Sequence, residues 1–348
     1  MAQGILRRYG EHLPITDRTP DLSLCEGSTP LIPLINLGRE LSVELYAKFD
    51  GLNPTGSFKD RGMVLAVAKA LEEGARSVVC ASTGNTSASA AAYAARAGIP
   101  CFVVLPAGNV AMGKLAQAIA YGAKVVPIED NFDVALDLAR KGAEEMGMAI
   151  VNSVNPYRLM GQRSASWEIC DELGDRPDWL VLPVGNAGNI SAYREGFDYY
   201  SSLGRCSGLP RMVGVQASGS APLALGREFP EPETVATAIR IGRPVNAEKA
   251  KKAVSDSGGT FLAVDDDEIL KAQRLLAGRD GIFAEPASCA GVAGLMKLKE
   301  QGELPEGIRI VTVLTGNGLK DPDALLSRIS PIEPVKAQWS VLEEIFRS

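Results

Sequence analysis

The sequence predicts an α/β protein of two domains, each a mostly parallel twisted sheet flanked by helices. Short apolar runs alternate with alanine-rich segments of helical periodicity, the pattern of right-handed βαβ units. The alternation falls into two series that part near residue 150, and 348 residues are too many for one small core. No fixed-period repeat or low-complexity segment interrupts either series.

Residues 1–40, punctuated by Pro14, Pro20, Pro30 and Pro33, read as loosely structured. The alternating run Val43–Phe49 is a strand, ended by Asn53-Pro54 and Gly56, and Met63–Leu71 is a buried helix. Strands Ser77–Ala81, Cys101–Leu105, Lys124–Ile128 and Ala149–Asn152 then alternate with helices Ser87–Ala97, Met112–Tyr121 and Phe132–Met146. The second series runs helix Tyr157–Leu173, strand Trp179–Val184, helix Ile190–Tyr200 and strand Met212–Gln216. Less regular sequence follows, with helical Glu233–Ile239 and Ala247–Val254, then strand Thr260–Val264 and helices Asp266–Ala277 and Ala287–Glu300. Strand Arg309–Leu314 and a short helix near Asp323–Arg328 complete it.

Composition removes several function classes. A net charge of −6 offers no basic surplus for nucleic acid, and Lys249, Lys251 and Lys252 read as one solvated helix face. Six cysteines without a Cys-x-x-Cys pair fit buried free thiols in a reducing compartment. Met1–Gly10 lacks the apolar core of a signal sequence and no apolar run spans a membrane, so a soluble cytoplasmic protein is expected. A single histidine, His12, rules out a histidine metal cluster, and no metal is expected. Proton transfer must fall to Lys, Asp, Glu or a cofactor.

Four stretches carry chemistry. Lys59 lies in Asn53-Pro54-Thr55-Gly56-Ser57-Phe58-Lys59-Asp60-Arg61-Gly62-Met63, at a turn or first helical turn, where the helix dipole disfavours an ammonium. A neutral lysine amine is a nucleophile towards aldehydes. Ser82-Thr83-Gly84-Asn85-Thr86-Ser87 follows a strand and opens a helix, a neutral cup suited to a carboxylate, although Thr86 or Ser87 would cap the helix in any case. Gly185-Asn186-Ala187-Gly188-Asn189 stands after another strand, either a tight turn or an anion site. It is neither Gly-x-Gly-x-x-Gly nor a P-loop. Asn152-Ser153-Val154-Asn155-Pro156-Tyr157-Arg158 adds a guanidinium to amide and hydroxyl donors at a helix start, which suits a phosphate; an Asn-Pro turn with a surface arginine is the plain alternative. Thr315-Gly316-Asn317-Gly318 ends a strand as an ordinary turn.

Taken together, the lysine motif and these loops, in this order, resemble the pyridoxal-phosphate enzymes of the tryptophan-synthase-β type (fold type II), and among them the threonine synthases. The resemblance covers nearly the whole chain. It implies that Lys59 carries pyridoxal 5'-phosphate covalently and serves as the catalytic residue. It assigns the cofactor's phosphate to Gly185, Asn186, Ala187, Gly188 and Asn189, its 3′-oxygen to Asn85 and its ring nitrogen to Thr315. The substrate carboxylate falls to Ser82, Thr83, Asn85 and Thr86, and a substrate phosphate to Asn152, Ser153 and Arg158. It also implies a small domain, residues 48–150, inserted into a large one of 1–47 and 151–348, and a homodimer. The activity implied is conversion of O-phospho-L-homoserine and water into L-threonine and phosphate. Rivals are a cysteate synthase, a hydroxy-amino-acid dehydratase and, from another class, a non-catalytic binder of pyridoxal phosphate or amino acids. Glu285-Pro286-Ala287-Ser288 occurs in several such relatives and separates none of them.

Overall fold

The structure, a computed structural model, describes residues 3–107, 112–326 and 333–347. Its strands are β1 (Leu31–Pro33), β2 (Glu44–Phe49), β3 (Val78–Ala81), β4 (Cys101–Pro106), β5 (Lys124–Ile128), β6 (Ala149–Ile150), β7 (Trp179–Pro183), β8 (Arg211–Ala217), β9 (Thr260–Val264) and β10 (Arg309–Leu314). The helices are α1 (Ile5–Arg8), α2 (Ile35–Leu41), α3 (Lys59–Glu72), α4 (Asn85–Ala97), α5 (Met112–Ala120), α6 (Phe132–Met146), α7 (Pro156–Gln162) and α8 (Ser164–Leu173). They continue with α9 (Gly188–Ser202), α10 (Pro222–Leu225), α11 (Ala247–Asp256), α12 (Asp266–Asp280), α13 (Pro286–Glu300), α14 (Asp323–Leu326) and α15 (Trp339–Arg347).

Two sheets form, as the alternation predicts. One has six strands in the order β1-β2-β10-β7-β8-β9, parallel except for the edge pair β1–β2, and the other has four parallel strands in the order β5-β4-β3-β6. Central strands of a parallel sheet are covered on both faces and so read as unbroken apolar runs. Accordingly Leu180 and Leu182 of β7 enter one core cluster while Val181 enters the other, on the opposite face. The first cluster also takes in Met63–Ala68 of α3 together with Val78, Cys80 and Val103, so α3 is the packed wall between the two sheets.

Helix α3 meets α7 at a crossing only glycine allows. A Cβ on Gly62 would lie 2.4 Å from the Arg158 carbonyl oxygen, and one on Gly161 would lie 2.2 Å from that of Arg61. The expected helix Tyr157–Leu173 is consequently two, α7 and α8, parted at Arg163, where the Ser164 hydroxyl donates to the Gly161 carbonyl at 2.7 Å.

Other differences share one physical origin, partners remote in sequence. Residues 3–40 are not loose: α1, β1 and α2 lie within or across them, and α2 is capped by the Asp280 carboxylate, which accepts from Asn36 N and Leu37 N at 3.0 and 3.1 Å. Glu233–Ile239 forms only a turn of 3₁₀ helix at Thr237–Ile239, because Glu233 N donates to the Gly219 carbonyl and Val235 N to Asp266. The terminal helix is described only over Asp323–Leu326, the rest of its expected span lying outside the described residues, while Trp339–Arg347 forms a further helix. All six cysteines are free and five are buried. His12 packs among Tyr9, Trp167, Tyr199 and Tyr200.

The first turn of α3 is fastened by a buried ionic network. Arg61 Nε and Nη2 donate to Asp50 at 3.0 and 2.9 Å, and Nη1 and Nη2 donate to the two oxygens of Glu168 at 2.8 and 2.7 Å. Lys48 Nζ stands 3.0 Å from Glu168 and 2.7 Å from Glu172. Arg61 and Lys48 overcome burial and hold Glu168 down to about 2. Truncating one partner leaves buried charge unpaired, so Arg61→Met should lower unfolding free energy by about 3–5 kcal/mol. Urea denaturation measures this. A depressed carboxylate stabilises the fold fully above its unfolded pKa, so the wild type should lose the Glu168 share as pH falls from about 4.5 towards about 2.

Candidate active site

The carboxyl ends of both sheets face the lysine turn. Beyond β10, Thr315-Gly316-Asn317 pairs with that turn as a short antiparallel bridge between Ser57 and Gly316. Phe58 N donates to the Thr315 carbonyl and Asn317 N to the Gly56 carbonyl, each at 2.9 Å. Helix α3 begins at Lys59, four residues before the expected Met63, so Lys59 is its first residue. The side chain is half-buried, with Nζ 4.1 Å from the centre of the Phe58 ring. Burial chiefly, and the Arg158 cation next, lower its pKa to about 7, against an opposing pull from Glu285. A substantial share of the amine is thus neutral near neutral pH, through desolvation and a neighbouring cation in addition to the helix dipole.

Opposite lies Ser82-Thr83-Gly84-Asn85-Thr86, half-buried throughout. Helix α4 starts at Asn85 with no side-chain cap; Ser87 instead donates to the Gly84 carbonyl at 2.7 Å, so the capping alternative does not use this loop. Ser82 Oγ accepts from Gly84 N at 3.2 Å, and Asn85 Nδ2 donates to the Glu285 carboxylate at 3.1 Å.

Beyond β7, Gly185–Asn189 turns through Ala187, which adopts a left-handed φ of 62°, uncommon for a non-glycine residue. A Cβ on Gly185 would stand 2.9 Å from the Ile239 Cα. Helix α9 opens at Gly188, and its first amides lack intrahelical acceptors. Asn189 Nδ2 is buried without a partner. Asn186 ties this loop to the next, its Oδ1 accepting from Val245 N at 2.9 Å and its Nδ2 donating to Ser153 Oγ at 3.3 Å.

Asn152 spends most of its amide on the backbone of Ala81, accepting from N at 2.9 Å and donating to O at 2.8 Å. Arg158 is not a surface residue: it is 1% exposed. Its Nη1 donates to the Val151 carbonyl at 2.7 Å and its Nε has no partner. Burial lowers its pKa to about 10, opposed by Cys80 and Asp60. A buried guanidinium satisfied by one carbonyl is costly to hold and is suited to an anionic ligand. Thr315, 5% exposed, shares a 2.9 Å hydrogen bond with Ser288 Oγ, which in turn accepts from Gly316 N at 2.9 Å.

Three residues of this neighbourhood carry no role from the sequence: Glu285, Ser288 and Lys320. The Glu-Pro-Ala-Ser run is visible, but nothing local shows that it faces Lys59. Lys320 donates from the Thr315 side of the cleft to the Thr55 carbonyl at 3.1 Å and to Gln117 of α5. Among the described residues no cluster of three or more His, Cys, Asp or Glu could hold a metal ion, and no helix is long and apolar enough to cross a membrane.

A depressed lysine amine, a strained loop with an orphaned buried amide at a helix start, and a strand-end hydroxyl together fit pyridoxal phosphate: an aldehyde for the amine, a phosphate for the loop. This is a pyridoxal-phosphate-dependent enzyme of fold type II. The model of the pyridoxal-phosphate dependent enzyme family matches residues 22–316. Threonine synthase of Halalkalibacterium halodurans is 56% identical over 94% of this chain and 92% of its own. That of Mycobacterium bovis is 53% identical over 95% and 92%, and that of Methanocaldococcus jannaschii 50% over 98% and 86%. The chain belongs to the threonine synthases of this family, which are pyridoxal-phosphate-dependent lyases. Maize serine racemase superposes with a TM-score of 0.74 at 19% identity, covering 100% of this chain and 99% of its own, and shares the fold. So does a threonine deaminase from Solanum lycopersicum, with a TM-score of 0.72 at 21% identity over 92% and 82%.

Proposed function

We propose that the chain converts O-phospho-L-homoserine and water into L-threonine and phosphate with the site residues in the following roles. The observation that carries the proposal is a pair of separate anion-seeking groups, the Ala187–Asn189 turn and the buried Arg158, flanking one amine of lowered pKa. Lys59 holds the cofactor. Gly185–Asn189 receive its phosphate, Asn85 its 3′-oxygen and Thr315 its ring nitrogen. Pyridoxal phosphate, when bound, supplies the electron sink for a carbanion beside the amino group.

Ser82, Thr83, Asn85 and Thr86 grip the substrate carboxylate. Arg158 and Ser153 grip the phosphate that leaves Cγ, with Asn152 offering its one remaining N–H. Freed by the substrate amine, Lys59 takes the proton from Cα as a neutral base, and it is placed to handle the protons at Cβ before water adds there. A dehydratase or a non-catalytic binder has no use for Arg158. The four-stranded unit is the inserted small domain, near residues 48–150, within a large domain of 1–47 and 151–348. A cytoplasmic homodimer completes the proposal.

Product identification after separate incubation with O-phosphohomoserine, O-phosphoserine plus sulfite, and threonine tests this activity. Threonine and phosphate from the first alone support it; cysteate from the second overturns it. A hydroxyl at position 315 does not hold the ring nitrogen protonated as a carboxylate would. Thr315→Asp should therefore shift the absorbance of the bound cofactor and admit side products such as those of transamination. An unchanged spectrum and product distribution would remove Thr315 from the ring.

A further inference from the structure

Glu285, immediately before α13, is 3% exposed and lies where three stretches of the site converge. Its backbone N–H donates to the Gly316 carbonyl at 3.0 Å. Its carboxylate overlies the Gly316 Cα so closely that a Cβ there would stand 2.4 Å from Oε1. The glycine after Thr315 is thus the space this carboxylate occupies. From across the cleft Asn85 Nδ2 reaches both its oxygens, at 3.3 and 3.1 Å.

That is thin support for a buried acid. Asp60, equally enclosed, accepts from Thr55 N, Thr55 Oγ1 and Ser89 Oγ at 2.7, 2.7 and 2.6 Å, and Glu168 has Arg61 and Lys48. The charged groups acting on Glu285 are Lys320, Asp321 and Lys59, and on Lys59 they are Arg158 and Glu285. Burial raises the pKa of Glu285 and lowers that of Lys59, so their titrations converge.

We infer that Glu285 is a positioning residue serving both halves of the site: it orients the Asn85 amide from across the cleft and stabilises the ammonium that Lys59 becomes each time it accepts a proton. The inference rests on Lys59 being the cofactor lysine. The proton passes from substrate carbon to Lys59 Nζ and back, and it is the ionised form of Glu285 that favours the ammonium. An anion beside the amine favours its charged form, so the carboxylate strengthens Lys59 as a base while burial and Arg158 pull its pKa down.

Acetic anhydride labelling of the full chain stripped of cofactor, followed across pH at the Lys59 peptide by mass spectrometry, reads the amine directly. Half-labelling is expected near pH 7 in the wild type. Glu285→Gln keeps the shape and loses the charge, so that midpoint should fall by about one pH unit. Glu285→Asp should fall by less, and carries the test if the glutamine variant does not fold. An unmoved midpoint in a folded variant overturns the inference.

The Asn85 half has its own readout. Glu285→Ala and Asn85→Ala should shift the absorbance of the bound cofactor alike, and the double variant no further; additive shifts would refute the orientation role. Borohydride reduction separates the two levels. A pyridoxyl group on another lysine defeats the functional assignment, whereas a labelled Lys59 with an unmoved midpoint defeats only the role of Glu285.

Discussion

Lys59→Ala should lose turnover of O-phosphohomoserine on the order of 10⁴-fold or more, because under the proposed assignment one substitution removes both the nucleophile that carries the cofactor and the base that moves protons. The fold should survive. Lys59 is half-buried at the first position of α3, and the fastening of that turn falls to Arg61 and Asp60, not to its amine. Urea unfolding of the variant should match the wild type closely, and borohydride reduction of the wild type should place a pyridoxyl group on Lys59. Residual turnover within tenfold of wild type would overturn the assignment outright.

Arg158→Met should reduce kcat/KM for O-phosphohomoserine roughly ten- to hundred-fold or more, the consequence of losing a charge-assisted hydrogen bond worth about 1.5–3 kcal/mol. Methionine is preferable to alanine because the side chain is fully buried and alanine would add a cavity penalty. KM should rise, and kcat should fall because charge grows on the departing phosphate. Cofactor affinity should hold, since the Gly185–Asn189 loop is separate. Arg158→Lys should recover only part of the loss, a point charge being a poor substitute for a planar fork. Removing the cation also removes a force that lowers Lys59, so the amine midpoint should rise above about 7. Loss of cofactor with intact phosphohomoserine kinetics would mean that the two phosphate sites are exchanged.

Much of this architecture is legible in the sequence because parallel sheets advertise themselves. Trp179–Pro183 is buried at all five positions, and such a run between helical patterns has few other uses. Loops at strand ends were equally readable, since glycines and small polar residues stand where strands stop. What stayed hidden depends on partners far along the chain. Nothing near Ile35–Leu41 announces that Asp280 will cap it. The burial of Arg158 follows from the α3–α7 crossing, and in isolation an arginine after Asn-Pro looks solvent-facing. Glu285 meets Asn85 across 200 residues, which is why a visible Glu-Pro-Ala-Ser run suggested no role.

The glycine contact between α3 and α7 has a consequence for which substrates the site accepts. Gly62 follows Lys59 by three positions and Gly161 follows Arg158 by three, so the two helices are clasped within one turn of each functional group. The backbones that carry the amine and the guanidinium are therefore fixed to each other, and under the proposed assignment the gap between the two groups acts as a caliper for chain length. A substrate whose phosphate seats on Arg158 while its α-carbon meets Lys59 must have the matching number of methylenes. O-phosphoserine, one carbon shorter, should span that gap less well. Selecting a variant that prefers it should require remaking the helix crossing, and substitutions confined to the loops around the cleft should leave the preference for the longer chain in place.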